Sequence, residues 1–241
     1  MIILQYDDKY HHWGLLMVRS LALHEPDKRV LLDTVNLSPA QVSELGQAHP
    51  RVIVENDTTS GQKTSPEQMA NRKPFVMQKA MDAYPDEPWY GLFDADFLVR
   101  RSLPDLWSKL DDHPAALIMT SGKWRGRYYR RLVTPSGIVL VRPDGRLLID
   151  NWAKWHAYDK PLGEIEPRQW YWDQLTLLQA RNVTSLRYAT ISMGVFANSQ
   201  LSPRAAIWSA NVRYKKRYYE RFQKEYKRQG RTRQPPHKEA R

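Results

Sequence analysis

The first hundred residues alternate between short apolar runs and segments of helical periodicity, and this order constrains the fold more than any other feature. The apolar runs occupy residues 2–6, 29–34, 51–55 and 89–99. Between them, apolar positions recur every three or four residues, which is typical of helices that bury one face. Strands that alternate with helices favour a sheet covered by helices. The sequence therefore predicts an α/β fold, Rossmann-like in layout, with a mixed and mainly parallel sheet.

Two of these helices have clear start signals. Ser38-Pro39-Ala40-Gln41 and Ser65-Pro66-Glu67-Gln68 each place Ser at the N-cap, Pro at the first helical position and Gln at the third. We expect helices to begin at these serines, and Pro74 to kink the second helix. The later patterns predict helices at 103–110, 147–155 and 169–180, and strands at 115–120, 137–141 and 183–190.

Composition limits the class of protein. A chain of 241 residues with 41% hydrophobic content suits one domain with a sizeable core. The chain has no cysteine, which excludes disulfides and thiolate metal sites. No apolar run approaches the roughly 20 residues of a transmembrane helix, and the N-terminal residues lack the pattern of a signal peptide. We therefore expect a cytoplasmic protein without a transmembrane segment.

Two carboxylates one residue apart interrupt the apolar run WYGLFDADFLV at residues 89–99. On a single strand, Asp94 and Asp96 would point to the same face, near the carboxyl end where ligands of open α/β sheets gather. Two carboxylates this close repel each other unless a cation lies between them, and a hard divalent ion satisfies both. The alternative is a strand-end turn in which one aspartate caps the following segment. The spacing alone leaves both interpretations open.

Further motifs follow the order seen in a known enzyme family. The chain resembles the GT-A glycosyltransferases and is most similar to family 8, which includes lipopolysaccharide galactosyltransferases and glycogenins. The resemblance covers about residues 1–180. It depends on five segments: Tyr6-Asp7-Asp8-Lys9-Tyr10, Asn71-Arg72-Lys73, Phe93-Asp94-Ala95-Asp96, Ser136-Gly137-Ile138-Val139-Leu140-Val141, and Trp172-Asp173-Gln174. Their order and spacing carry the resemblance more than any single motif does.

This resemblance implies transfer of a sugar from a nucleotide diphosphate donor, with a UDP-sugar favoured. It implies that Asp94 and Asp96 bind Mn²⁺ or Mg²⁺ on the diphosphate, where the ion stabilises charge that develops on the leaving group. It assigns Asp173 and Gln174 to the catalytic site. The residues that it assigns to donor binding, besides Asp94 and Asp96, are Tyr6, Asp8, Tyr10, Arg72, Lys73, Ser136, Gly137 and Lys215.

Asp173 is the candidate for a role beside the reacting carbon. In an inverting reaction it would deprotonate the acceptor hydroxyl, and in a retaining reaction it would stabilise an oxocarbenium-like state. Enzymes of family 8 retain configuration, so the resemblance favours retention. An alternative needs no catalysis, because the helix macrodipole by itself favours Asp in the first turn of a helix.

The chain departs from the family pattern in its last third. Enzymes of family 8 have a late H-x-x-G-x-K motif that supplies a third metal ligand and a phosphate-binding lysine. The corresponding segment, residues 207–215, contains no histidine and ends at Lys215. Pro135 also stands where the family has Asn. We therefore expect Lys215 to reach a phosphate, whereas the sequence supplies no third metal ligand.

Positive charge is concentrated at the C-terminus. Residues 213–241 contain 12 Lys and Arg against 3 Asp and Glu, whereas residues 1–212 contain 25 against 23. Aromatic residues spaced by four in this segment predict an amphipathic basic helix. They are Tyr214, Tyr218, Phe222 and Tyr226. Such a helix either packs on the domain through its aromatics or binds an anionic membrane surface or nucleic acid through residues 213–231.

Three functions remain open from the sequence. The lead is a glycosyltransferase that builds a bacterial glycolipid or surface polysaccharide and attaches peripherally to the inner membrane. The second is a phage-type enzyme that glycosylates hydroxylated DNA bases. The third is a nucleic-acid-binding protein on an inactive transferase scaffold. A second basic strip would serve the nucleic-acid alternatives: Lys123, Arg125, Arg127, Arg130 and Arg131.

The domain organisation predicted from these patterns has three parts. Residues 1–210 form the domain that resembles a nucleotide-sugar transferase. Residues 211–230 form the basic aromatic helix, because charge and aromatic spacing change together there. Residues 231–241 are polar and contain two prolines, so we expect a flexible tail.

Overall fold

The computed structural model describes most of the chain. The described residues are 1–58, 64–118, 134–162, 166–169, 171–192, 196–197, 201–210 and 215–233, without the side chains of Pro66, Phe196, Ala197, Lys215 and residues 231–233. The basic strip at 123–131, Tyr214 and the tail beyond residue 233 lie outside the described residues.

A seven-stranded mixed sheet forms the centre of the domain. Its order is β3-β2-β1-β4-β7-β6-β8. Within this sheet, as far as the structure describes it, β7 alone runs antiparallel to its neighbours. The strands are β1 (Ile2–Asp7), β2 (Val30–Val35), β3 (Val52–Asp57), β4 (Tyr90–Asp94), β6 (Ala115–Ile118), β7 (Ile138–Val141) and β8 (Tyr188–Ile191). The predicted α/β fold with a mainly parallel sheet is confirmed.

A second, three-stranded sheet corrects the prediction for residues 89–99. It consists of β5 (Phe97–Val99), β10 (Ile207–Ser209) and β9 (Phe196–Ala197), in the order β5-β10-β9. A turn at Ala95 and Asp96 separates β4 from β5, so the apolar run is two strands in two sheets. The expectation that Asp94 and Asp96 share one strand is wrong, because β5 leaves the main sheet to pair with β10.

The described residues form seven α-helices. They are α1 (His11–His24), α2 (Pro39–Ala48), α3 (Pro66–Ala83), α4 (Pro104–Trp107), α5 (Arg146–His156), α6 (Trp172–Val183) and α7 (Lys215–Arg233). Both predicted capping boxes are present, at Ser38 with Gln41 and at Ser65 with Gln68. Pro74 lies inside α3, and the helix continues through it to Ala83.

Helices cover both faces of the main sheet. On one face, Leu15 of α1 packs in a cluster with Leu4 of β1, and α2 contributes Leu45 to it. On the other face, Met77 of α3 packs with Ile3, together with residues of α5 and α6. Leu4 and Ile3 face opposite sides because successive side chains of a strand alternate. This arrangement leaves the carboxyl ends of β1 to β4 at one edge, beside α3.

The C-terminal helix α7 packs on the domain through its aromatic side. Phe222 is fully buried and lies edge-on against Trp13, with ring centroids 5.6 Å apart. Arg100 stacks over Trp208 and pairs with Glu225 of α7 at 3.1 Å. Because Phe222 and Tyr218 are buried within the molecule, neither inserts into a membrane nor stacks on bases in this structure. The exposed basic residues of α7 are Lys216, Arg217, Arg221, Lys224, Lys227 and Arg228.

Candidate functional site

The candidate site begins at Asp94, the last residue of β4. Asp94 is half-buried, and its N–H donates to the carbonyl of Gly137 on the neighbouring chain segment, at 3.0 Å. A Cβ atom added to Gly137 would lie 3.0 Å from Oδ2 of Asp94 and 3.1 Å from the ring of Phe97. Gly137 therefore leaves the space that the Asp94 carboxylate occupies.

Lys73 of α3 joins three parts of the chain at this point. Its Nζ lies 2.9 Å from Oδ1 of Asp94, 3.3 Å from Oδ2 of Asp173 and 3.0 Å from Oγ of Ser136. Burial by itself would lower the pKa of Lys73, but the charges of Asp94 and Asp173 and their hydrogen bonds outweigh it and raise the pKa above the usual value. Lys73 therefore stays positively charged between two carboxylates.

Asp173 lies in the first turn of α6 and is almost completely buried. The hydroxyl of Ser136 donates to Oδ2 of Asp173, the same oxygen that contacts Lys73. The indole Nε1 of Trp152 donates to the main-chain carbonyl of Asp173 at 2.9 Å. Neighbours on two segments, Lys73 and Ser136, thus hold the carboxylate, and Trp152 on a third segment holds the main chain of the same residue.

Backbone strain precedes Asp173. Arg168 and Tyr171 have φ angles of 65° and 74°, in the left-handed region that favours glycine. Asn71 of α3 holds this segment, because its Nδ2 donates to the carbonyl of Arg168 at 2.9 Å. Strain at two residues beside the first turn of α6 indicates that the surrounding contacts fix the position of this turn.

His156 contacts Asn71 and was not predicted from the sequence. Its Nε2 lies 2.9 Å from Oδ1 of Asn71. Burial lowers the pKa of His156 to about 4, so at neutral pH the ring is uncharged and its Nε2–H donates to Asn71. A histidine in the last turn of α5 carries no sequence signal for this contact, because the distance along the chain to Asn71 is large.

Arg72, the neighbour of Lys73, belongs to a different set of contacts. Its guanidinium lies 3.2 Å from Asp33 on β2 and 3.3 Å from Asp57 at the end of β3. Asp33 aligns with Gln5 on β1, and Gln5 aligns with Asp94 on β4. Asp33 and Asp94, which lie in one row across the sheet, thus pair with adjacent residues of α3.

Tyr6 does not lie where the resemblance predicted. Only 2% of its surface is exposed, and its ring packs beneath α1, where a Cβ on Gly14 would come within 2.3 Å of it. The structure therefore corrects the assignment of Tyr6 to donor binding, because the ring is part of the core. Asp7 is also occupied, since it accepts hydrogen bonds from the N–H of Tyr10 and from Thr64.

The remaining residues predicted for the site differ in how far they are buried. Asp8 is exposed and Tyr10 is half-buried, on the turn that follows β1. Asp96 is half-buried, and its carbonyl accepts from the N–H of Ala210 at 3.1 Å. Gln174 is half-buried beside Asp173. Lys215 begins α7, and its side chain lies outside the described residues.

The oxygen ligands at this edge fit a divalent ion only in part. Within the described residues, no three or more His, Cys, Asp or Glu side chains form a group that could hold a metal ion. Asp94 keeps 36% of its side chain exposed, and Asp96 follows it in the turn. Mg²⁺ in phosphate-handling sites typically uses one or two carboxylates together with substrate phosphates and water. The donor set therefore suits an ion that a bound diphosphate helps to coordinate.

Comparison with known proteins gives a result for the fold. No protein-family model matches the sequence, and a search of curated proteins finds no match. Solved structures do match. The galactosyltransferase LgtC, in complex with donor and acceptor sugar analogues, has a TM-score of 0.63 over 95% of this chain and 96% of LgtC, at 14% identity. The chain has the fold of a glycosyltransferase.

Two further glycosyltransferases support the same result. One takes part in glycosylation of the major capsid of PBCV-1, and it matches 92% of this chain and 98% of its own, with a TM-score of 0.57 and 12% identity. The other is GlyE of Streptococcus pneumoniae TIGR4, which matches 94% of this chain and 63% of its own, with a TM-score of 0.57 and 15% identity. The resemblance inferred from the motifs is confirmed at the level of the fold.

None of the helices in the described part of the chain has the length and apolar character that crossing a lipid bilayer requires.

Proposed function

We propose that the protein is a metal-dependent glycosyltransferase that moves a sugar from a nucleotide diphosphate donor, a UDP-sugar in the favoured case, to an acceptor hydroxyl. One observation carries the proposal. Asp94, Lys73, Ser136 and Asp173, which lie far apart in the sequence, converge at the carboxyl edge of a sheet with a glycosyltransferase fold. Ligands of open α/β sheets bind at this edge.

The roles follow from the charges at this edge. Asp94 and Asp96 would hold Mn²⁺ or Mg²⁺, which when bound supplies Lewis-acid stabilisation of the departing diphosphate. Two carboxylates, those of Asp94 and Asp173, contact one ammonium, that of Lys73, and the Asp94 side chain keeps 36% of its surface exposed, so the cluster favours an added cation at Asp94. Gly137 keeps the Asp94 carboxylate in place by leaving room for it.

Asp173 is better suited to stabilise positive charge than to accept a proton. Its Oδ2 already accepts from Ser136 and contacts Lys73, and the residue is 3% exposed. A carboxylate held in this way keeps its orientation while positive charge develops on the sugar ring. This supports the retaining course, with Gln174 as the polar neighbour on the donor side.

The acceptor proposal rests on α7. Tyr218 and Phe222 are buried in the domain, and six basic side chains of the helix remain exposed. A basic surface of this kind favours an anionic lipid surface, where each basic residue contributes about 1 kcal/mol near the membrane. We therefore propose a bacterial glycolipid or surface polysaccharide as acceptor, reached from the cytoplasmic face of the inner membrane.

Ligand-dependent melting tests the donor assignment. A ligand that binds only the folded state raises the melting temperature, and the shift grows with the logarithm of the ligand concentration relative to its Kd. We expect UDP or a UDP-sugar with Mn²⁺ to raise the Tm of the wild type and of Asp112→Asn, an exposed control carboxylate. The same ligands should leave the Tm of Asp94→Asn unchanged. No shift of the wild type with any nucleotide sugar would contradict the proposal.

Liposome binding tests the acceptor assignment. Replacing Lys216, Arg217 and Lys224 by Glu reverses charge on the exposed face of α7 and leaves Phe222 and Glu225 in place. We expect the wild type to sediment with anionic liposomes at low salt and the triple variant to stay in the supernatant. Steep salt-dependent binding of DNA without liposome binding would favour the nucleic-acid alternatives instead.

A further inference from the structure

The ammonium of Lys73 contacts two sets of acceptors, called anchors below, and the second set has more acceptors than the first. One anchor is Oδ1 of Asp94 at 2.9 Å. The other is the pair formed by Asp173 and Ser136, at 3.3 and 3.0 Å. The second pair is itself joined by the hydrogen bond from Ser136 to Asp173. Lys73 therefore keeps two partners whenever its contact with Asp94 is broken.

Asp94 has little freedom to serve two cations at once. Its Oδ2 lies against the bare backbone of Gly137, because a Cβ added there would lie 3.0 Å from this oxygen and 3.1 Å from the ring of Phe97. Its Oδ1 is the oxygen that Lys73 contacts. A divalent ion on this carboxylate would lie close to the ammonium, and two positive charges at that separation repel strongly where water is partly excluded.

We propose that Lys73 and the divalent ion compete for Asp94, so that the ion binds tightly only together with the donor diphosphate; this inference rests on the proposed function. When the ion takes Asp94, Lys73 shifts to Asp173 and Ser136. This shift leaves no buried charge without a partner, which would otherwise be costly. The ammonium of Lys73 thus lowers the affinity of the site for the metal ion alone and favours binding of the ion together with the nucleotide.

Metal binding in the absence of turnover tests this inference. The affinity for Mn²⁺ is measured from the electron paramagnetic resonance signal of free Mn²⁺, on the full chain with and without UDP. In Lys73→Met the aliphatic stem remains and the ammonium is lost. We expect Lys73→Met to bind Mn²⁺ alone about tenfold more tightly than the wild type, within the usual range of coupling between two ligands.

Two controls separate competition from a general change of charge. Lys79→Met removes a cation of α3 that pairs with Glu55 at 2.6 Å, and it should bind Mn²⁺ as the wild type does. Lys73→Arg keeps the charge and should also stay near the wild type. Asp94→Asn in the Lys73→Met background should abolish the tighter binding, because the ion is expected on Asp94.

The outcomes distinguish this inference from the proposed function. Equal Mn²⁺ affinity of Lys73→Met and the wild type, or equal affinity of the wild type with and without UDP, overturns the competition. Failure of every protein to bind UDP or any nucleotide sugar overturns the proposed function instead. Should thermal melting show that Lys73→Met does not fold, Lys73→Gln and the comparison of wild type with and without UDP give the same decision.

Discussion

Arg72 and Lys73 are adjacent on α3 and both pair with carboxylates of the main sheet, yet their surroundings differ. Arg72 contacts both oxygens of Asp33, at 3.3 and 3.2 Å, and the side chain of Asp33 is only 6% exposed. Lys73 contacts Asp94, whose side chain is 36% exposed. The carboxylate of the first pair is closed off from solvent, whereas the carboxylate of the second pair is accessible to a ligand. We infer that the first pair holds the helix on the sheet and the second belongs to the site.

The two side chains suit these two tasks. The planar guanidinium of Arg holds its N–H donors in a rigid fork, and in Arg72 Nη2 donates to both oxygens of Asp33 while Nη1 donates to Asp57, which fixes one geometry. The ammonium of Lys is a compact charge with three rotatable donors, and it can move between acceptors. Lys73 has three acceptors within 3.3 Å, on Asp94, Asp173 and Ser136. A pair of neighbouring cations can therefore combine a structural contact with a movable one.

The largest expected effect separates Arg72 from Lys73 in turnover. We predict that Lys73→Met lowers kcat/KM for transfer by about 10²- to 10³-fold, the usual loss when one preorganised charge beside a reacting group is removed. Arg72→Met should lower it by less than about tenfold, because Arg72 does not contact Asp94 or Asp173. The measurement is the initial rate at several donor concentrations. Equal losses for both variants would remove the distinction between the two pairs.

The pair of Arg72 and Asp33 should instead affect stability, through the pH dependence of the free energy of unfolding. Burial raises the pKa of Asp33, and Arg72 opposes this rise. In Arg72→Met, burial and the charge of Glu55 still raise the pKa of Asp33, and only the smaller effect of Lys79 opposes them. Folded Asp33 therefore holds its proton to higher pH than the unfolded chain, whose carboxyl titrates near 3.8. The variant should therefore lose about 1–3 kcal/mol of stability as pH rises from about 4 to 8. Urea unfolding at both pH values measures this, and a loss independent of pH would contradict it.

Gly137 offers a smaller test of the open pair. In Gly137→Ala the new Cβ lies 3.0 Å from Oδ2 of Asp94, so the carboxylate must move by a few tenths of an ångström. We predict a loss of about tenfold in kcat/KM, since small misplacements at a site are costly. Gly46→Ala is the control, because nothing lies within 4 Å of its added Cβ and it should stabilise α2 by about 0.5–1 kcal/mol. Full activity of Gly137→Ala would show that the carboxylate tolerates the shift.

The smallest expected effect concerns a third carboxylate, Glu225 of α7. Hydrogen bonds from Arg228, and further ones from Gln229 and Arg100, lower the pKa of Glu225 to about 2 although burial opposes them. Its contribution to stability is therefore complete above the usual value of 4.5 and is lost as pH falls towards about 2. At pH 7, Glu225→Gln should lower the free energy of unfolding by less than about 1 kcal/mol, which is measured as a slightly lower Tm. At pH 2 the substitution should leave the Tm unchanged.

Much of the fold was predictable from local patterns. The alternating strands and helices, and the capping boxes at Ser38 and Ser65, depend on residues close together in the chain. The order of the motifs also pointed to Asp94, Gly137 and Asp173 as neighbours. The turn that splits β4 from β5 was not predictable, because the strand that pairs with β5 begins only at Ile207.

The sequence also did not predict how deeply a side chain is buried or in which direction it points from a helix. Tyr6 was assigned to the donor, but the absence of a side chain on Gly14 lets its ring sink into the core. Adjacent residues of a helix point about 100° apart. The sequence therefore placed Arg72 and Lys73 near the site together, and only the structure separates the carboxylates that each contacts.

Release of nucleotide diphosphate from a panel of nucleotide sugars tests the central claim most directly. The wild type and the control Asp112→Asn are compared with Asp94→Asn, each with Mn²⁺ and with a chelator. We predict turnover of at least one nucleotide sugar by the wild type and the control in Mn²⁺, and a loss of at least about 10²-fold in Asp94→Asn or with chelator. Turnover by Asp94→Asn equal to that of the wild type would contradict a donor site at Asp94.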